Sequence, residues 1–274
     1  MMTNIFEAIV KFEFMQNALC AGVLVSIACG IIGTFVVINR IVFISGGIAH
    51  AAYGGIGLGY FLKFNPLIGA IAFALLSALG MGIVERKTKQ RADTLIGVMW
   101  AIGMAIGIIL IDLTEGYKAG LESYLFGSIL TVPRQDLIVM LILNLIIGGL
   151  VFLFYKELLA ISFDSTFATI RNLPVDGLYL MLMAMIALTV VMVMQVVGLI
   201  LVIALLTIPA AIAEKFAKDI KQMMVFSSIL GIIFTTIGIA LSFYFNLTSG
   251  ATIILVAGIT YLFSLFINKS NIIK

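Results

Sequence analysis

The chain has 274 residues, 63% of them hydrophobic and 11% charged, with a net charge of +3. A soluble domain carries about 25% charged residues, so this composition excludes one. Apolar residues come instead in blocks of about 20, the length of a membrane-crossing helix, and the whole chain reads as one membrane domain.

Residues 1–16 read as a short amphipathic lead-in lying at the membrane interface. Glu7 and Glu13 fall in it, no basic start precedes an apolar core, and no cleavable signal is evident. Spanning helices are expected over 17–38, 42–62, 66–84, 92–111 and 135–155. Cys20 and Cys29 lie nine residues apart on the first of these. At about 100° per residue they face opposite sides and cannot bond.

The second block holds the only histidine in the chain, His50, in "ISGGIAHAAYGGIGLGYF". An ionisable side chain inside a span is a functional hypothesis by default, because its burial is costly. Gly47, Ala51, Gly55 and Gly59 recur every fourth residue, a small-residue stripe of the kind that lets helices approach closely. Gly46, His50 and Gly54 form the adjoining stripe. The imidazole therefore faces another helix or a cavity. It is either a ligand for a late first-row metal or a histidine that hydrogen-bonds a neighbouring helix. Asp93, at the start of the fourth block, reads as a helix cap or an N-terminal charge.

Residues 121–133, "LESYLFGSILTVP", are too few to cross and read as a short helix dipping back at the outer surface. In "FDSTFATIRNLPVDG", Asp164 reads as the N-cap of a short cytoplasmic helix. The stretch 177–213 is too long for one span. Basic loops flank it on both sides, Lys156 and Arg171 before and Lys215, Lys218 and Lys221 after. Basic loops stay cytoplasmic, so two short helices are expected, reversing near Gln195 to Gly198. Spans over 223–243 and 250–267 complete about nine, with eight as the alternative count. Arg40, Arg86, Lys87, Lys89, Arg91, Lys269 and Lys274 then also fall inside, against Lys11, Lys63, Lys118 and Arg134 outside. This places the N-terminus outside and the C-terminus in the cytoplasm.

In "LLTIPAAIAEKFAKDIKQMM", Pro209 suits the first turn of a new helix. Residues 209–222 are expected to form a separate cytoplasmic helix. Its small residues Ala210, Ala211, Ala213 and Ala217 stand among Glu214, Lys215 and Lys218, a surface suited to docking on a partner. There is no GxxxxGK[ST] phosphate loop, and no enzyme constellation is evident.

Five stretches in order carry a family resemblance: "SGGIAHAAYGGIGLGYFL", "DTLIGVMWAIGMAIGIIL", "SYLFGSIL", "VVGLILVIALLTIPAAIA" and "SGATIILVAG". Together the chain resembles the membrane permease of ABC importers for divalent transition metals, of the zinc and manganese type. The resemblance implies an all-α polytopic bundle like that of the vitamin B12 and iron-chelate importers. It also implies a homodimer, a cytoplasmic ATPase dimer that hydrolyses ATP, and an extracellular or periplasmic metal-binding protein. The cargo would be zinc or manganese, with iron as a third candidate, and no permanent cofactor or nucleic acid is implied. The helix after Pro209 would be the coupling helix.

His50 would contact the ion along the path, with Ser45, Gly46, Asn144 and Gln195 as lining candidates and Met104 as a further contributor. Family members often carry an acid one turn before the histidine, where this chain has Gly46. The alternatives are an ABC permease for a metal chelate and an ion-coupled secondary carrier. A carrier usually needs ionisable or unwound sites near mid-membrane, and here His50 is the only strong candidate.

Overall fold

A computed structural model describes residues 11–88, 92–115 and 121–266. Most of the expected lead-in, the charges Glu7, Lys89, Arg91, Lys118, Lys269 and Lys274, and the side chains of Asp93 and Glu122 lie outside the described residues. The described chain is helical, without strands. The helices are α1 (Glu13–Ile38), α2 (Val42–Leu62), α3 (Pro66–Thr88), α4 (Ala92–Asp112), α5 (Leu121–Phe126), α6 (Arg134–Leu153), α7 (Tyr155–Phe163), α8 (Ser165–Ile170), α9 (Val175–Val197), α10 (Val202–Phe216), α11 (Ile220–Phe245) and α12 (Ser249–Leu265). Among the described residues, eight segments are long and apolar enough to cross a membrane, and α12, with 17 residues, is a shorter apolar helix. The expected all-α, polytopic architecture is what is found.

Two compact units divide the chain. Among the described residues, one gathers 11–37, 121–146 and 192–266; the other gathers 38–88, 92–115 and 147–191. Each is discontinuous in sequence, so neither is a consecutive domain.

In the second unit, α2 is the most enclosed helix, and its glycines explain why. A Cβ on Gly55 would lie 2.0 Å from the Gly69 carbonyl oxygen of α3, and one on Gly69 would lie 2.1 Å from the Gly55 oxygen. On the α4 side, a Cβ on Gly103 would lie 2.3 Å from the Ala51 Cα, and one on Gly57 would lie 2.5 Å from the Gly107 oxygen. Helices touch here backbone to backbone, the contact that small residues permit where lipid supplies no hydrophobic driving force. The expected stripe is divided between two neighbours. Gly47 meets Ile96 and Ala51 meets Gly103 on α4, while Gly55 and Gly59 meet Gly69 and Pro66 on α3. Four residues turn a helix through about 400°, so an every-fourth-residue stripe winds from one neighbour to the next.

At the other end of α3, Tyr179 of α9 donates its hydroxyl hydrogen to Glu85 at 2.7 Å. Arg86 donates from Nε to Asp176 at 2.6 Å and lies over the Tyr179 ring, 5.7 Å from its centroid. The two links differ in worth. The Asp176 side chain is 76% exposed and that of Arg86 34%, and a solvent-exposed pair contributes at most about 1 kcal/mol. The tyrosine bond is half-buried and ends on a carboxylate, worth about 1.5–3 kcal/mol. Tyr179→Phe is therefore expected to lower the thermal midpoint of the purified protein in detergent more than Arg86→Gln does. An equal loss from both would contradict this ranking.

In the first unit, the expected short helix at 121–133 ends early. Helix α5 stops at Phe126, Gly127 takes φ +76°, and a separate 3-10 turn follows at Ile129–Thr131. Gly198, between α9 and α10, takes φ +80° and ψ 162°, a region essentially reserved for glycine. The two glycines abut, since a Cβ on Gly198 would lie 2.3 Å from the Gly127 nitrogen. The break expected near Gln195 to Gly198 thus falls at Gly198.

The expectation at Pro209 is corrected. Pro209 lies inside α10, which runs without interruption to Phe216. No separate helix spans 209–222. The break comes at Ala217, which is extended (φ −76°, ψ 142°), and Asp219 then caps α11 by accepting from the Gln222 N–H at 2.8 Å. The Gln222 side chain accepts in return from the Lys218 N–H at 3.1 Å. This reciprocal pair resembles a capping box. It fixes where one helix ends and the next starts more firmly than the proline does. Asp164 caps α8 as expected, accepting from the N–H groups of Thr166 and Phe167, both at 2.9 Å.

Candidate functional site

His50 is 8% exposed, in the middle of α2. Its Nδ1 lies 3.1 Å from the Gly46 carbonyl oxygen. A carbonyl only accepts, so Nδ1 carries the hydrogen in this bond, and the lone pair of the neutral ring is on Nε2. This is how metal-binding histidines are commonly held, with one nitrogen donating to a fixed acceptor and the other left basic. Trp100 of α4 covers the ring, with centroids 3.6 Å apart and planes at 44°. Ser45, fully buried, donates its hydroxyl hydrogen to the Val42 carbonyl at 2.6 Å. Its lone pairs remain, but its donor serves its own helix.

Gly46 and His50 lie one turn apart on α2, and Ser45 directly precedes Gly46. Asn144 and Gln195 belong to the other unit. Asn144 donates from Nδ2 to the carbonyls of Leu24 and Met140, both at 3.0 Å, and its Oδ1 is buried without a partner. Gln195 donates from Nε2 to Asp136 at 2.9 Å. Each amide therefore ties helices within its own unit. Met104 is half-buried on α4, one turn after Trp100. Among the described residues, no group of three or more His, Cys, Asp or Glu could hold a metal ion. An ion at His50 would thus have a sparse donor set, consistent with transient contact rather than storage. The free thiols stand as expected, Cys20 exposed and Cys29 buried.

At the charged end of α10, the structure sorts the expected docking residues. Pro209, Ala210 and Ala213 are buried, Ala211, Lys215 and Ala217 are half-exposed, and Glu214 and Lys218 are exposed. The buried members pack inward. A Cβ on Gly33 of α1 would lie 2.1 Å from the Leu206 oxygen and 3.7 Å from the Ala210 Cβ. Lys215 donates to the Ser264 hydroxyl at 3.0 Å and lies over the Tyr261 ring. Beside this corner is an open apolar cleft of about 250 Å³, lined by Ile212, Ala213, Phe216, Phe226, Ile229 and Leu230. Of the expected docking residues, Ala211, Glu214, Lys215, Ala217 and Lys218 remain accessible to a partner.

Two features escaped the sequence reading. Trp100 is the only tryptophan in the chain, which marked it as unusual without saying what it touches. The Asp219-x-x-Gln222 spacing was the available signal for the start of α11.

Apolar helices long enough to span a membrane, one of them close-packed and carrying a buried imidazole, define the class of polytopic membrane proteins. Residues 11–268 match the ABC 3 transport family, and the chain belongs to that family. It is 67% identical to an uncharacterized membrane protein of Synechocystis sp., over 96% of this chain and 94% of that one. It is 37% identical to a manganese transport system membrane protein, MntC, of Listeria monocytogenes, over 97% of this chain and 95% of that one. Among solved structures, it is similar to PsaBC of Streptococcus pneumoniae in complex with Fab (TM-score 0.87, 34% identity, 96% of this chain and 94% of that one).

Proposed function

We propose that the chain is the membrane-spanning subunit of an ATP-driven importer that moves a divalent transition metal ion, manganese or zinc with iron as a third candidate, into the cell by alternating access. The observation that carries this reading is His50, a buried imidazole fixed through Nδ1 with Nε2 left basic. Family membership and the manganese assignment of the Listeria relative support it. The ion is cargo and passes His50 transiently. Hydrolysis belongs to a separate ATPase dimer, and a second copy of this chain and an external metal-binding protein complete the importer. The distribution of lysine and arginine supports placement in the cytoplasmic membrane with the N-terminus outside and the C-terminus inside.

The test is uptake of manganese, zinc and iron isotopes into proteoliposomes holding the chain and its ATPase. ATP-dependent accumulation of at least one is expected, and none for any of the three would overturn the reading. The corner between α10 and α11 is the proposed ATPase contact. Ala211→Trp adds bulk to its half-exposed surface and is expected to reduce co-purification of the ATPase or to uncouple hydrolysis from uptake. A fully coupled complex in that variant would remove the corner from the interface.

A further inference from the structure

We propose that Trp100 is the positioning residue for His50, holding the imidazole so that Nε2 is presented to the passing ion. This rests on the reading of His50 as an ion contact and adds to it a residue that the ion reading itself does not require.

An imidazole on a helix has two torsions to fix. The Gly46 carbonyl holds the Nδ1 edge at 3.1 Å. One hydrogen bond leaves the ring free to rock about the line of that bond. The indole ring, 3.6 Å away between centroids and tilted by 44°, removes that freedom. The two contacts come from different helices, Gly46 from α2 and Trp100 from α4. Both helices are locked at the same level, because the Ala51 backbone sits against Gly103. Neither an aliphatic side chain nor a small one at position 100 reproduces a flat surface against a tilted ring. Partners that orient a ligating histidine are commonly worth about 10–100-fold in metal affinity.

The chain supplies its own probe, since Trp100 is its only tryptophan. The full chain in detergent micelles is titrated with zinc chloride while tryptophan emission is followed. Uptake is measured in parallel on the chain with its ATPase in proteoliposomes. A saturable emission change is expected in the native chain. In His50→Ala the change is expected to be absent, and the starting emission shifted because the imidazole contact is gone. Trp100→Leu is expected to raise the KM for metal uptake by about tenfold or more, with a smaller effect on kcat, and Trp100→Phe to recover most of the affinity.

The two readings fail separately. Normal uptake by His50→Ala removes the ion contact itself. Loss of uptake in His50→Ala with an unchanged KM in Trp100→Leu leaves the ion contact standing and overturns the role of Trp100. If Trp100→Leu does not fold, the starting emission decides: identical emission from the native chain and His50→Ala would show that the indole does not rest on the imidazole and overturn the proposal.

Discussion

His50→Ala is expected to abolish metal uptake in proteoliposomes while leaving the protein folded. The side chain makes a hydrogen bond only within its own helix, so its removal breaks no link between helices of that kind. What is lost is the packing against Trp100 and one buried polar group whose burial was itself a cost. A thermal midpoint within a few degrees of the native value is therefore expected, together with loss of transport. A histidine that merely tied helices together would give the opposite pattern, a destabilised protein whose surviving fraction still transports. Measuring both quantities on one preparation separates the two. His50→Gln sharpens the result, because it keeps a polar side chain of similar reach but removes the imidazole nitrogen.

The second large effect is expected at the crossing of α2 and α3. Gly55 and Gly69 each present a carbonyl where the other's Cβ would fall, at 2.0 and 2.1 Å. Backbone cannot yield as a flexible side chain does, so either alanine substitution must push the helices apart. Overpacking of this kind costs about 1–3 kcal/mol, occasionally more. Both substitutions act on one separation. Once Gly55→Ala has opened it, Gly69→Ala is expected to add much less than its cost alone, because residues in contact couple. Thermal unfolding of the two single variants and the double variant in detergent measures this directly. Additive losses would mean that the helices yield at two independent places. His50 lies five residues earlier on the same helix, so uptake should fall in both single variants.

Much of this architecture is legible in the sequence because a bilayer imposes simple rules. Every backbone group in lipid must be paired, so blocks such as 42–62 are helices wherever they pack, and α2 spans those residues. Tertiary choice is less legible. Pro209 suits a helix start by local rules, yet it sits inside α10, because neighbours in a membrane bundle can re-satisfy what a proline releases. Asp219 and Gln222 signalled the true start of α11, and a reading centred on the proline overrides them. The site shows the same division. His50 stands out as the chain's one histidine, and its glycine surroundings foretell close packing. Trp100 lies fifty residues away on another helix. No periodicity within α4 tells which residue of α2 it meets, so that contact is visible only in three dimensions. Asn144 and Gln195 are polar for reasons that sequence does not separate, and their hydrogen bonds hold helices together within their unit.

Pro209 has one more consequence, and it is mechanical. A proline has no N–H to return to the Leu205 carbonyl, so α10 lacks one rung of its ladder near its middle. Gly198, ahead of the 3-10 turn Leu199–Leu201 that leads into α10, is held against the Gly127 backbone. Seen as a beam, α10 is thus compliant partway along rather than at its root. Helix α2 has no such joint and is gripped along both flanks by backbone contacts. Under load, α10 can bend and store elastic energy, while α2 can only shift as a stiff rod.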